Sequence, residues 1–106
     1  MNNKEILNKI DEIIALIENS SEYQKYLSLK KDLDNDKEIT LLISEIKILQ
    51  KDVVHHLDKK ELLNKKIKAL ESIPLYIEYQ NTVASLNNTY AIIEQRINNY
   101  ITDKIN

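Results

Sequence analysis

The first residues here that could do chemistry are the two histidines, His55 and His56. Imidazole titrates near neutral pH and is a common metal ligand. Their spacing argues against chelation. Neighbours on a helix point about 100° apart, whereas a shared metal needs ligands one turn apart, at i and i+4. With Asp52 or Lys59 nearby, the pair makes a polar, pH-sensitive patch on a long helix. The carboxylates do not converge on an acid–base pair either. Asp32, Asp34, Asp36 and Glu38 gather at an expected helix junction, where a helix N-terminus favours negative charge. Ser20, Ser21, Ser28, Ser44, Ser72 and Ser85 have no adjacent base or oxyanion hole to make a nucleophile.

Missing residue types exclude more. The chain has 106 residues, no cysteine and no glycine. Without cysteine there are no disulfides, no thiol catalysis, no cysteine-ligated clusters and no Cys-type zinc sites. Without glycine there is no phosphate-cradling loop, dinucleotide fingerprint, nucleophile elbow or EF-hand loop. Most tight hairpins go with them, which disfavours a β-rich fold. Residues 4–19 superficially resemble the first helix of an all-helical chorismate mutase. Binding a dicarboxylate wants several arginines, however, and Arg96 is the single one present. A non-enzymatic protein is therefore expected, with no cofactor and no metal.

Two other side-chain sets remain for binding. The lysines Lys59, Lys60, Lys65, Lys66 and Lys68 form a basic stretch that could meet nucleic-acid phosphates or an acidic protein patch. No aromatic residues interleave them for base stacking, so a solvated helix face is the plainer reading. The whole chain carries 15 basic and 17 acidic residues, net −2, and so exerts no global pull on nucleic acid or an anionic membrane. The charge is nonetheless uneven. Residues 11–45 carry net −5 and residues 46–70 net +4. The six tyrosines are the other set. Tyr23, Tyr26, Tyr76 and Tyr79 open two helices just after capping signals, where rings cover a neighbouring helix and keep their hydroxyls wet. Exposed, they would mark a protein interface.

The elements that position these residues are helices almost from end to end. Ile6, Ile10, Ile13 and Ile17, widened by Leu7 and Ile14, make residues 3–19 an amphipathic helix. Ser21 with Gln24 fits a capping box that opens a second helix carrying Tyr23, Tyr26, Leu27 and Leu33 inward. Asn35 with Glu38 fits another. From there Leu42, Ile46, Leu49, Val53, His56, Lys60, Leu63, Ile67 and Leu70 alternate at four- and three-residue spacing. That is a coiled-coil-like seam which would extend ~50 Å as one helix. Polar His56 and Lys60 at consecutive seam positions mean that the seam opens to solvent or the helix bends. Ser72-Ile73-Pro74 ends it, and a last helix runs from Pro74 to about Lys104, with Asn87-Asn88 a local weak point. Tyr23-x-x-Tyr26 with Leu33 and Ile39 is faintly echoed by Tyr76-x-x-Tyr79 with Leu86 and Ile92.

With 42% hydrophobic residues and no linker, residues 1–106 are expected to form a single domain. The fold class is all-α: about four helices, two of them long and packed as an antiparallel hairpin of residues 36–72 and 74–104. Such rods bury one stripe each, so a second copy or a partner is expected to complete the core. No apolar run approaches the roughly 20 residues of a membrane span. The start, Met-Asn-Asn-Lys-Glu-Ile, lacks the apolar core and cleavage site of a signal peptide. A cytoplasmic protein is expected.

This arrangement resembles the YlbF/YmcA family of small helical bacterial regulators. The likeness rests on the run from Ile17 through Ser21-Glu22-Tyr23, then Tyr26, Asp36-Lys37-Glu38-Ile39 and Ile46-Lys47-Ile48-Leu49-Gln50-Lys51-Asp52-Val53-Val54. It continues in Glu71-Ser72-Ile73-Pro74-Leu75-Tyr76-Ile77-Glu78-Tyr79 and covers roughly residues 10–102, closest to the YmcA branch. The resemblance implies a regulatory adaptor like the subunits of the YlbF–YmcA–YaaT complex. That complex influences RNase Y-dependent mRNA maturation, competence, biofilm formation and sporulation. Partners would be a second copy or related helical proteins, with RNase Y linked indirectly. Cluster binding through cysteines, known in that complex, does not carry over to a chain without cysteine. The expected interaction residues are Tyr23, Tyr26, Leu49, Gln50, Val53, Tyr76 and Tyr79. The alternatives are a nucleic-acid-binding module using the basic stretch and a purely structural coiled-coil assembly protein.

Overall fold

In a computed structural model, which describes residues 2–105 and the side chains of 2–103, the chain is all helix and turn. Five α-helices follow in order: α1 (Asn3–Glu18), α2 (Ser21–Asn35), α3 (Lys37–Val53), α4 (Lys60–Glu71) and α5 (Pro74–Ile105). A single 3₁₀ turn, Leu57–Lys59, precedes α4. No strand occurs among the described residues. The chain divides into two compact units, Ser28–Asn81 and Met1–Leu27 with Thr82–Asn106, so α2 and α5 each contribute to both.

Helix ends are set by side chains rather than by glycine, and no described residue has positive φ. Between α1 and α2 the Ser20 hydroxyl donates to the Ile17 carbonyl at 2.6 Å and accepts from the Tyr23 N–H at 3.2 Å. One side chain thus serves the last turn of one helix and the first turn of the next. The cap is therefore Ser20, one residue before the expected Ser21. Gln24 does reach back, but to the Glu18 carbonyl at 2.8 Å. The same shift occurs before α3. Asp36, not Asn35, is in extended conformation, and its carboxylate accepts from the Ile39 N–H at 2.9 Å. In both places the stronger cap is the residue whose backbone leaves the preceding helix.

The expected single helix over residues 36–72 is two. Asp52 accepts from the N–H groups of both His55 and His56, at 3.0 and 2.8 Å, and the chain reverses. Two ion pairs then join α3 to α4, Asp52 to Lys59 at 3.2 Å and Glu45 to Lys66. The midpoint of each pair falls between His55 and His56, the signature of an antiparallel hairpin with the histidines at its tip. The physical reason lies in the seam itself. A straight helix would leave Leu63, Ile67 and Leu70 without a surface to cover. Folding back sets them on Ile46 and its neighbours, and removes His56 and Lys60 from apolar contact.

The core of this unit is Leu33 of α2, Ile39 and Ile46 of α3, and Leu70 of α4, with Ile39 wholly buried. Leu75, Tyr76 and Tyr79, from the first turns of α5, pack against it. Pro74 opens α5, where its missing N–H costs nothing. The helix then continues unbroken past Asn87 and Asn88. In the other unit Ile17 and Leu86 are the buried hydrophobics, with Thr82 buried beside them in the sequence of α5. Leu7 and Ile14, expected to widen the buried stripe of α1, are instead 59% and 45% exposed. Leu27 is also exposed, and Leu29 is buried in its place on α2.

Candidate interaction surfaces

Each unit carries one groove. In the unit Ser28–Asn81, α2, α3, α4 and α5 enclose a depression of about 340 Å³. Its floor is apolar, from Leu33, Ile43, Ile46 and Leu70; its polar lining comes from Lys30, Asp34, Thr40, Lys47 and Gln50. Tyr76 and Tyr79 close it from α5. The Tyr76 hydroxyl accepts from the Gln80 amide at 2.9 Å, which fixes the ring across the first turn of the helix. An apolar floor with a few polar groups at the rim suits a protein side chain or a helix edge better than a polar small molecule.

Three of the sequence-predicted interaction residues, Gln50, Tyr76 and Tyr79, therefore line one groove. The others do not join them there. Leu49 is buried on the core side of α3, and Val53 is half-buried at the end of that helix. Tyr23 and Tyr26 belong to the other unit, where their rings meet at 5.8 Å between centroids, tilted by 45°. Sequence reasoning missed Lys30, Asp34 and Thr40. The only signal for them was their position one turn from Leu33 or Ile43, which helical periodicity supplies but does not rank.

The second groove, about 350 Å³, lies between α1 and the C-terminal part of α5. Ile6, Ile10 and Ile13 line one side, and Ile93, Ile97, Tyr100 and Ile101 the other. Lys9 and Arg96 are its charged lining residues, and neither has an ion-pair partner among the described residues. The stripe that the sequence assigns to a buried helix face is thus left half open.

The histidines lie at the exposed α3–α4 tip, in the turn rather than on a helix. Val54 and Leu57 flank them and are 74% and 76% exposed. No group of three or more His, Asp or Glu side chains placed to hold a metal occurs among the described residues. Nor is any described helix long and apolar enough to cross a membrane. Of the basic stretch, Lys59 and Lys66 are engaged by carboxylates, while Lys60, Lys65 and Lys68 are exposed on α4.

An all-helical chain with docking grooves and no assembled reactive constellation on the described surface defines a class of protein that works by contact. Comparison with known proteins narrows the class. Residues 6–106 match the family described as "Control of competence regulator ComK, YlbF/YmcA", and the chain belongs to that family of regulators. It is similar to the protein named YmcA of Bacillus subtilis (strain 168). The two are 24% identical over 111 aligned positions, covering 96% of this chain and 78% of that protein.

Proposed function

We propose that this chain is a non-enzymatic regulatory adaptor that binds related helical proteins, in the manner of the YlbF–YmcA–YaaT complex. By that resemblance its output would be control of RNase Y-dependent mRNA maturation, and through it competence, biofilm formation and sporulation. The observation that carries the reading is the family match across residues 6–106, nearly the whole chain. The groove of Gln50, Tyr76 and Tyr79 supports it as the place where a partner helix docks. Its charged rim of Lys30, Asp34 and Lys47 would set register, while the apolar floor supplies affinity.

The test is capture of partners from native cytosol on the tagged chain, with the bound proteins identified. Sister helical proteins of the same family should co-purify with the wild-type chain. Gln50→Arg, an exposed change that spares the core, should reduce that capture severalfold. Recovery of no related helical protein would sink the reading. The nucleic-acid alternative has less support, because Lys59 and Lys66 are already neutralised within the hairpin. It would prevail if the isolated chain bound RNA with a steep salt dependence that charge reversal of Lys60, Lys65 and Lys68 abolished.

A further inference from the structure

The open groove between α1 and α5 needs an occupant, and α1 carries the ridge that fits it. Leu7, Asp11, Ile14 and Glu18 follow one another at four-, three- and four-residue spacing, so they form one row along the helix. All four are exposed, including two large aliphatics. This row lies beside the groove-lining row of α1, one residue on in sequence and about 100° around the helix. One helix therefore presents a half-open hole on one side and apolar knobs at heptad spacing on the next.

We propose that a second copy of this chain docks here, each copy setting its Leu7–Asp11–Ile14 ridge into the groove of the other. Charge complementarity favours this occupant. The charged groups lining the groove, Lys9 and Arg96, are both cationic and unpaired among the described residues. The ridge carries acids, with Asp11 standing between its two aliphatic knobs. A two-fold pair then places each ridge carboxylate against the partner groove's cations, and the same patch serves both copies. Size is consistent with a specific contact. The 16 residues of α1 span ~24 Å, so a face two helices wide covers about 500 Å² per copy, close to 1,000 Å² in all. Apolar surface also runs beyond the groove, at Leu16, Tyr90 and Ile92, farther than a small ligand would cover.

This inference adds one named occupant to the adaptor reading. Its test uses the purified full chain alone, so self-association and capture of other proteins succeed or fail independently. Sedimentation equilibrium should show a dimer at micromolar concentration. Asp11→Arg and Arg96→Asp, both at exposed positions, should each weaken it about tenfold, and the combined variant should recover most of the loss. Circular dichroism of all three should match the wild-type chain. A monomer at 100 μM (roughly a hundredfold above the ~1 μM constant expected of an interface this size) would overturn the proposal. So would a dimer indifferent to either substitution, or a combined variant weaker than both single ones.

Discussion

Ile39 and Leu41 stand two residues apart on α3, are equally apolar, and differ completely in environment. Ile39 is 0% exposed at the centre of the Ser28–Asn81 unit, whereas Leu41 is 60% exposed on its outer face. Ile39→Ala removes three buried carbons. At about 0.8 kcal/mol each, lost transfer alone amounts to about 2.4 kcal/mol. The unfilled space among Leu33, Ile46 and Leu70 raises the cost to about 3–4 kcal/mol. Leu41→Ala should cost less than about 1 kcal/mol. Urea denaturation followed by circular dichroism measures both; Ile39→Ala should lower the midpoint by about 1–3 M. The milder Ile39→Val, costing about 1 kcal/mol, keeps the comparison alive should the alanine variant fail to fold. Equal losses at the two positions would refute the reasoning, because Leu41 would then be covered by something in solution.

Two further outcomes follow from local geometry. Ser20→Ala and Asp36→Ala should each destabilise the chain by about 1 kcal/mol, whereas Ser21→Ala and Asn35→Ala should be near neutral, all measured by denaturant titration. The reverse order would restore the caps to the positions that the sequence suggests. A double-mutant cycle on Glu45 and Lys66 should give a coupling of about 0.5 kcal/mol that shrinks with added salt, since both side chains are about a third exposed. No coupling at low salt would count against the hairpin register.

Much of the fold was legible in the sequence because helical periodicity is a local property. The isoleucine stripe of α1, the proline that opens α5 and the absence of strands follow from residue types within one or two turns. Capping was legible to within one residue. Ser20 and Ser21, or Asn35 and Asp36, are chemically interchangeable as caps, and only the backbone's exit from the previous helix chooses between them. Gln50, Tyr76 and Tyr79 were legible as surface candidates, but their meeting in one groove was not. They come from α3 and α5, separated by the whole of α4.

What the sequence determined by itself is the class: all-helical, without glycine loops or cysteine chemistry, and patterned like the regulators of its family. What only the tertiary structure decided is where the helices end and which apolar stripes are spent. A seam of nine positions from Leu42 to Leu70 is equally compatible with one rod and with two helices folded on each other. Burial of Leu63, Ile67 and Leu70 against α3 selects the second, because apolar area removed from water outweighs the few backbone hydrogen bonds lost at the turn. That same choice uses up the seam inside one unit. It leaves the α1 stripe, which looks just as hydrophobic on paper, open along a groove.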